Sequence, residues 1–231
     1  MRTSKDIKEC KSCIYRNLLY DKLNDAEYEQ VNNARTEYIF KRGEVLRKEG
    51  DDIVSFLYLR KGLVKLYKTD HLGKDHILSI NKPSDFINLL SIFSKSEYKY
   101  SISALEETHV CEVELPVLKH LVETNGDFAL KILNRISRIS DEVIENGFEI
   151  NQKQVKGRIA HILIFLADKI YHEHTFRMPV TRREVGELIS MTTENTIRTF
   201  SEFRKDGIIS MEGKTITILD YNRLKNVCKT G

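Results

Sequence analysis

Between Ala129 and Ile150 the apolar residues Ala129, Ile132, Ile136, Ile139, Val143 and Ile150 recur at spacings of 3, 4, 3, 4 and 7, with Asn146 in the remaining position. This is a heptad stripe, and it predicts one long helix of about three heptads over roughly 127–150. A second apolar edge, Leu130, Leu133 and Ile144, is placed to pack on whatever precedes the helix. A helix apolar on two sides is either buried in one core or shared between a core and a partner. We read the heptad stripe as the seam of a parallel homodimer, in which a lone polar Asn146 fixes register at some cost in stability.

Before the helix the pattern differs. Glu37–Phe40, Glu44–Arg47, Phe56–Leu59, Leu63–Lys68, His76–Ile80 and His109–Val113 are short strand-like runs, most of them closed by glycine or charged residues. Strands at this spacing predict an antiparallel barrel or sandwich. Gly43, Gly50, Gly62 and Gly73 turn its corners and do not form a phosphate-binding loop. After Ile150 the polar run Asn151-Gln152-Lys153-Gln154 precedes a new amphipathic helix, predicted from Val155 to Tyr171. The domain boundary is placed there, giving residues 1–151 and 152–231. Charge divides the same way: the second part carries fourteen Lys and Arg against nine Asp and Glu, the first twenty-three against twenty-five. A basic module behind a mildly acidic one is the asymmetry of a nucleic-acid-binding part joined to a sensing or assembly part.

Composition excludes several classes. With 41% hydrophobic and 31% charged residues over 231 positions, the chain supports a packed core in one or two domains. Four cysteines do not make a disulfide scaffold, and the polar start Met1–Asp6 is no signal peptide. The longest apolar run, Ile162–Ala167, is far short of the roughly 20 residues a membrane span needs. We expect a soluble, cytoplasmic protein with free thiols and no membrane association. No Walker loop, G-x-S-x-G or HExxH supports an enzyme. His172-Glu173-His174 lies past a predicted helix end with no further ligand nearby, and His161 is read as a packed side chain.

Thr181-Arg182-Arg183-Glu184 is a capping box opening a short helix through Val185 and Leu188. Ser190-Met191-Thr192 makes a tight turn. Thr192 or Thr193 then caps a second helix ending near Lys205, with Ile197, Phe200 and Phe203 expected to face inward. Ile208–Met211 and Lys214–Ile218 form a hairpin around Glu212-Gly213. Two short helices across a tight turn, followed by a hairpin, make a winged helix-turn-helix. The second helix would be the recognition helix, exposing Thr193, Glu194, Asn195 and Arg198. Glu194 and Arg198, four apart, share a face. Arg can donate to guanine O6 and N7, and Glu can accept from cytosine N4; the same pair can also form a routine i,i+4 salt bridge. Arg182, Arg183, Lys214, Thr192 and Thr193 are read as phosphate contacts that set register.

These stretches resemble the Crp/Fnr family of transcription regulators over nearly the whole chain. Phe40-Lys41-Arg42-Gly43-Glu44, Glu49-Gly50-Asp51, Leu59–Val64 and Gly73 are similar to its cyclic-nucleotide-binding-type β-roll. Val155-Lys156-Gly157-Arg158-Ile159-Ala160 is similar to its helix after the hinge, and Glu194–Arg198 to its Glu-x-x-x-Arg recognition pattern. The resemblance implies an α+β chain: an N-terminal antiparallel β-roll of double-stranded β-helix type, a long dimerisation helix and a C-terminal winged helix-turn-helix. It also implies a homodimer on a near-palindromic operator, RNA polymerase as a partner, and base-edge readout by Glu194 and Arg198. Ile197 stands where relatives often carry a small or polar residue, and is alternatively placed to touch a thymine methyl.

Cyclic-nucleotide binders of this fold carry Gly-Glu and Arg-Ser or Arg-Thr in their phosphate-binding segment. The corresponding residues 82–104 contain neither Gly nor Arg, which argues against cyclic AMP and leaves the effector at the β-roll unknown. Cys10-Lys11-Ser12-Cys13 and Cys111 are similar to ligands of the family's oxygen-sensing branch, which holds an iron–sulfur cluster. A cluster ordinarily takes four thiolates, Leu19 stands where a third N-terminal cysteine would sit, and Cys228 is poorly placed to replace it. The cysteines therefore leave open a cluster, a thiol–disulfide switch or zinc at the CxxC, or no redox role, the last being favoured. A redox- or metal-responsive sensor, or a regulatory subunit that binds no DNA, is the alternative function.

Overall fold

The structure, a computed structural model, describes residues 2–3, 16–94 and 96–231. It divides into two compact units, Met1–Lys68 with Leu78–Glu142, and Thr69–Ile77 with Val143–Gly231. Cys10 and Cys13 lie outside the described residues, as does the side chain of Asn146.

The strands of the first part of the chain are β1 (Arg2–Thr3), β2 (Arg35–Phe40), β3 (Val45–Arg47), β4 (Ser55–Lys61), β5 (Val64–Thr69), β6 (Asp75–Asn81), β7 (Ser101–Ala104) and β8 (Thr108–Glu114). They form two four-stranded sheets, ordered β1-β2-β8-β4 and β3-β7-β5-β6. β2 and β4 pair antiparallel with β8, and β3 and β5 pair antiparallel with β7. This is the antiparallel fold expected from the turn-bounded strands. Gly62 shows why one corner needs glycine: its φ is +85°, and a Cβ there would strike Glu107 O and lie 2.6 Å from Thr108 Oγ1.

Among the described residues a π-helical turn (Arg16–Tyr20) and three α-helices accompany the sheets: α1 (Asp25–Asn33), α2 (Leu115–Thr124) and α3 (Gly126–Gln152). α2 sends Leu115, Leu118 and Leu121 into the core, with Pro116 in its first turn, where a missing N–H costs nothing. Asn125 follows α2, and its Oδ1 accepts from Phe128 N at 3.0 Å, capping the start of α3. Phe128 is buried and stacks on Tyr20 at 6.1 Å between ring centroids. That contact fixes the rotation of α3.

The rotation corrects the expectation for its two faces. Ile132, one turn after Phe128, is 3% exposed, and Ile136 and Ile139 pack against the same core. Of these three seam residues Ile132 is taken up by its own subunit, while Ile136 and Ile139 are half-buried and keep part of their surface. Leu130 and Leu133, expected to pack on the strands, face solvent with Ile144; Leu133 is 58% and Ile144 69% exposed. Val143 and Phe148 are exposed too, while Ala129 and Ile150 are half-buried. Periodicity reveals two stripes but not which one meets the core; the Asn125 cap and the Phe128 stack decide that.

The later part of the chain contains α4 (Val155–Phe165), a π-helical turn (Leu166–Tyr171), β9 (Thr175–Arg177), α5 (Arg182–Leu188), α6 (Thr193–Lys205), β10 (Ile209–Glu212), β11 (Thr215–Ile218) and α7 (Tyr221–Thr230). The helix expected over 155–171 is thus α-helical to Phe165 and π-helical beyond, ending at His172 with φ of 55°. The three strands form one sheet, ordered β10-β11-β9. Ile159, Leu163, Phe200, Phe203, Ile216 and Leu224 are buried in this unit.

Candidate nucleic-acid interface

α5 begins as its sequence predicts. Thr181 accepts from Glu184 N at 3.2 Å, and Glu184 Oε2 accepts from Thr181 N at 2.8 Å, completing a capping box. The chain turns at Ile189–Thr192, and Thr192 Oγ1 accepts from Asn195 N at 3.2 Å to cap α6. Gly186 makes this turn possible: a Cβ there would lie 2.8 Å from Met191 O and 3.0 Å from Thr196 Oγ1.

α6 buries Thr196, Thr199, Phe200 and Phe203 along one side. Ile197 does not join them. It is 50% exposed, because one residue beyond Thr196 rotates a helical side chain by about 100°. Its inward placement is therefore corrected, and it stands on the outer face with Thr193, Glu194 and Arg198. Arg198 Nη2 donates to Asn195 Oδ1 at 2.9 Å. Among the described residues Glu194 makes no side-chain hydrogen bond or ion pair, so the routine i,i+4 bridge is not formed. The front of α6 thus presents a carboxylate and a guanidinium side by side, not joined to each other, next to the positive end of the helix dipole.

The surrounding cations divide into two kinds. Arg183 is exposed, with Nε held by Glu187 Oε1 at 2.9 Å, and Lys214 is exposed at the turn between β10 and β11. Arg182 departs from the expectation of a phosphate contact. Its guanidinium lies 3.9 Å from the centroid of the Phe200 ring, Nη2 meets Met211 Sδ at 3.3 Å, and burial lowers its pKa from the usual arginine value. It ties α5, α6 and β10 together instead. Arg177, which sequence reasoning passed over, joins the cationic edge: it pairs with Thr215 across β9 and β11, Met178 N donates to Lys214 O at 2.9 Å, and its side chain is exposed. A Thr-Phe-Arg strand signal was present, but its pairing with the wing is long-range.

In the β-roll segment 82–104 the buried Asn88 and the part-buried Tyr100 have hydrogen-bond partners within the protein. Asn88 is fully buried; its Oδ1 accepts from Leu57 N at 2.9 Å, and its Nδ2 donates to Ser55 O and Tyr98 Oη at 2.8 and 2.9 Å. Tyr100 Oη donates to Ile87 O at 3.3 Å. Cys111 lies in the central strand β8, fully buried, and burial pushes its thiol up to about 12. Cys228 is half-buried in α7. Among the described residues no group of three His, Cys, Asp or Glu side chains is placed to hold a metal ion, and no helix is long and apolar enough to cross a membrane.

An antiparallel β-roll, a long helix and a winged helix-turn-helix with an exposed, charged second helix define the class of DNA-binding transcription regulators. Comparison with known proteins agrees. A cyclic nucleotide-binding domain model matches residues 38–125, and a Crp-like helix-turn-helix domain model matches residues 157–227. The transcriptional activator protein Anr of Pseudomonas aeruginosa is 29% identical over 184 residues, 78% of this chain and 75% of that protein. The anaerobic regulatory protein of Haemophilus influenzae is 28% identical over 207 residues, 87% of this chain and 80% of that protein. The structure of FixK2 from Bradyrhizobium japonicum superposes with a TM-score of 0.75 at 20% identity, covering 84% of this chain and 96% of that one. The chain belongs to the Crp/Fnr family of transcription regulators, a family of DNA-binding proteins and not of enzymes.

Proposed function

We propose that this protein regulates transcription as a cytoplasmic homodimer that reads a near-palindromic operator with α6 and works with RNA polymerase. The observation that carries the reading is the exposed front of α6, where Arg198 leans on Asn195 and leaves Glu194 unpaired. Arg198 would donate to guanine, Glu194 would accept from cytosine, and Ile197 would meet a thymine methyl. Thr192, Thr193, Asn195, Arg183, Lys214 and Arg177 would hold the backbone. The DNA-binding part is taken as residues 152–231, a stretch that lies inside the second compact unit, whose later segment runs from Val143 to Gly231.

Pairing of two subunits is supported by the outward stripe of α3. Leu130, Leu133, Ser137, Ile144 and Phe148 follow one another at spacings of 3, 4, 7 and 4, and the four apolar members are exposed. Two-fold symmetry then sets half-sites about one helical turn apart. The effector acts at the β-roll and is not cyclic AMP, since residues 82–104 offer no arginine to a phosphate and their buried amide and phenol groups are already partnered. The redox alternative draws no support from Cys111, which is fully buried in the central strand β8.

The test is anisotropy of labelled random duplex DNA titrated with the full chain across a salt series. Affinity should fall steeply, with log K dropping by about 0.9 per phosphate contacted for each unit of log salt, and Arg177→Ala and Lys214→Ala should each reduce that slope by about one. Absence of binding at low salt, or binding indifferent to salt, would contradict the proposal.

A further inference from the structure

The turn before α6 is strained and closely held. Ser190 has φ of 56°, a left-handed conformation that non-glycine residues adopt at a cost, and Met191 N is bonded to Gly186 O at 2.8 Å. α5 ends just before it, and a helix end leaves carbonyls without intrahelical donors. One of them, Ile189 O, accepts from Arg158 Nη1 at 3.1 Å. Nε of the same guanidinium donates at 2.9 Å to Lys153 O, the first residue past the end of α3. A single planar cation therefore closes the negative ends of two helices, α3 and α5. A lysine is a point charge without that fork, and a glutamine amide carries no charge for the two dipoles.

We infer that Arg158 is a positioning residue that fastens the end of α3 to the turn of the helix-turn-helix, so that a shift of α3 resets residues 189–192 and the front of α6. Other links join the same elements. Lys156 Nζ lies 2.8 Å from Glu202 Oε2, tying α4 to α6, and His161 Nδ1 lies 3.5 Å from Glu149 Oε2, tying α4 to α3. Among the described residues only Arg158 is bonded both to the end of α3 and to the turn. The inference deepens the DNA-binding reading and rests on it for its consequence, though the link itself is separately measurable.

The experiment uses the full chain as wild type, Arg158→Lys and Arg158→Gln. Amide hydrogen exchange is followed by mass spectrometry, and affinity is measured for a duplex that the wild type enriches from a random pool. Both variants should quicken exchange at residues 189–192 tenfold or more while leaving β11 and α7 unchanged. Both should lose at least tenfold in affinity for the enriched duplex, with a smaller loss on a random duplex at low salt. Unchanged exchange at 189–192, or quickening spread evenly from α4 to α7, would overturn the inference. If the wild type enriches no duplex, the DNA-binding reading fails, and the exchange result still decides whether Arg158 makes the link.

Discussion

Substituting one residue on each face of α3 separates assembly from folding. Ile144 is 69% exposed in the single subunit, so about two-thirds of its side chain is left for a partner to cover. Full burial of such a side chain is worth about 1.5–3 kcal/mol, which leaves about 1–2 kcal/mol for each Ile144 and about 2–4 kcal/mol across a two-fold pair. Ile144→Ala should therefore weaken dimerisation roughly 30- to 1000-fold. Ile132, only 3% exposed beside Phe128, has little left to give a partner. Ile132→Ala should instead cost about 2–5 kcal/mol of folding stability by opening a cavity. Sedimentation equilibrium over a dilution series measures the first effect. Urea unfolding at fixed chain concentration measures the second, because dimer stability depends on concentration. A folded Ile132→Ala protein that dissociates, beside an Ile144→Ala protein that associates like wild type, would refute the assignment of the two faces.

Three further outcomes are expected. Arg182→Ala should lower stability by about 1–2 kcal/mol, because it removes the cation over the Phe200 ring and the packing of its stem; calorimetry showing an unchanged melt would contradict that placement. Cys111 should resist maleimide in the native chain at neutral pH and react only after unfolding, as resolved by peptide mapping; native labelling at the rate of an exposed thiol would argue against its burial. Burial holds His161 below the ordinary histidine value, so the folded chain prefers the neutral ring. As pH falls through the ordinary value of about 6.5, the unfolded chain takes up that proton more readily, and the stability present above this window is lost. His161→Gln should flatten the decline in stability between about pH 7 and 5; an unaltered slope would show that other groups set it.

Much of this architecture could be read from residues close in sequence. The turn-bounded strands, the extent of α3, the Thr181 capping box and the Thr192 cap all depend on neighbours within a few positions. The errors arise where distant residues decide. Which stripe of α3 meets the core depends on Phe128 meeting Tyr20, more than a hundred residues away. Arg182 has the composition of a phosphate contact, but Phe200 and Met211 capture it from other elements. Arg177 reaches the wing only through pairing of β9 with β11. At Glu194 and Arg198 the spacing permitted either a salt bridge or an open pair, and the third side chain, Asn195, settles the choice.

The sharpest trial of the regulator is selection of binding sites from a random duplex pool by the wild type and by Arg198→Ala. The wild type should enrich an inverted repeat with half-sites about one helical turn apart, each with a required guanine. The variant should lose about 1–3 kcal/mol on that site and relax its preference at that guanine alone. A variant that enriches the same sequence with the same stringency would contradict the claim that this side chain reads the base.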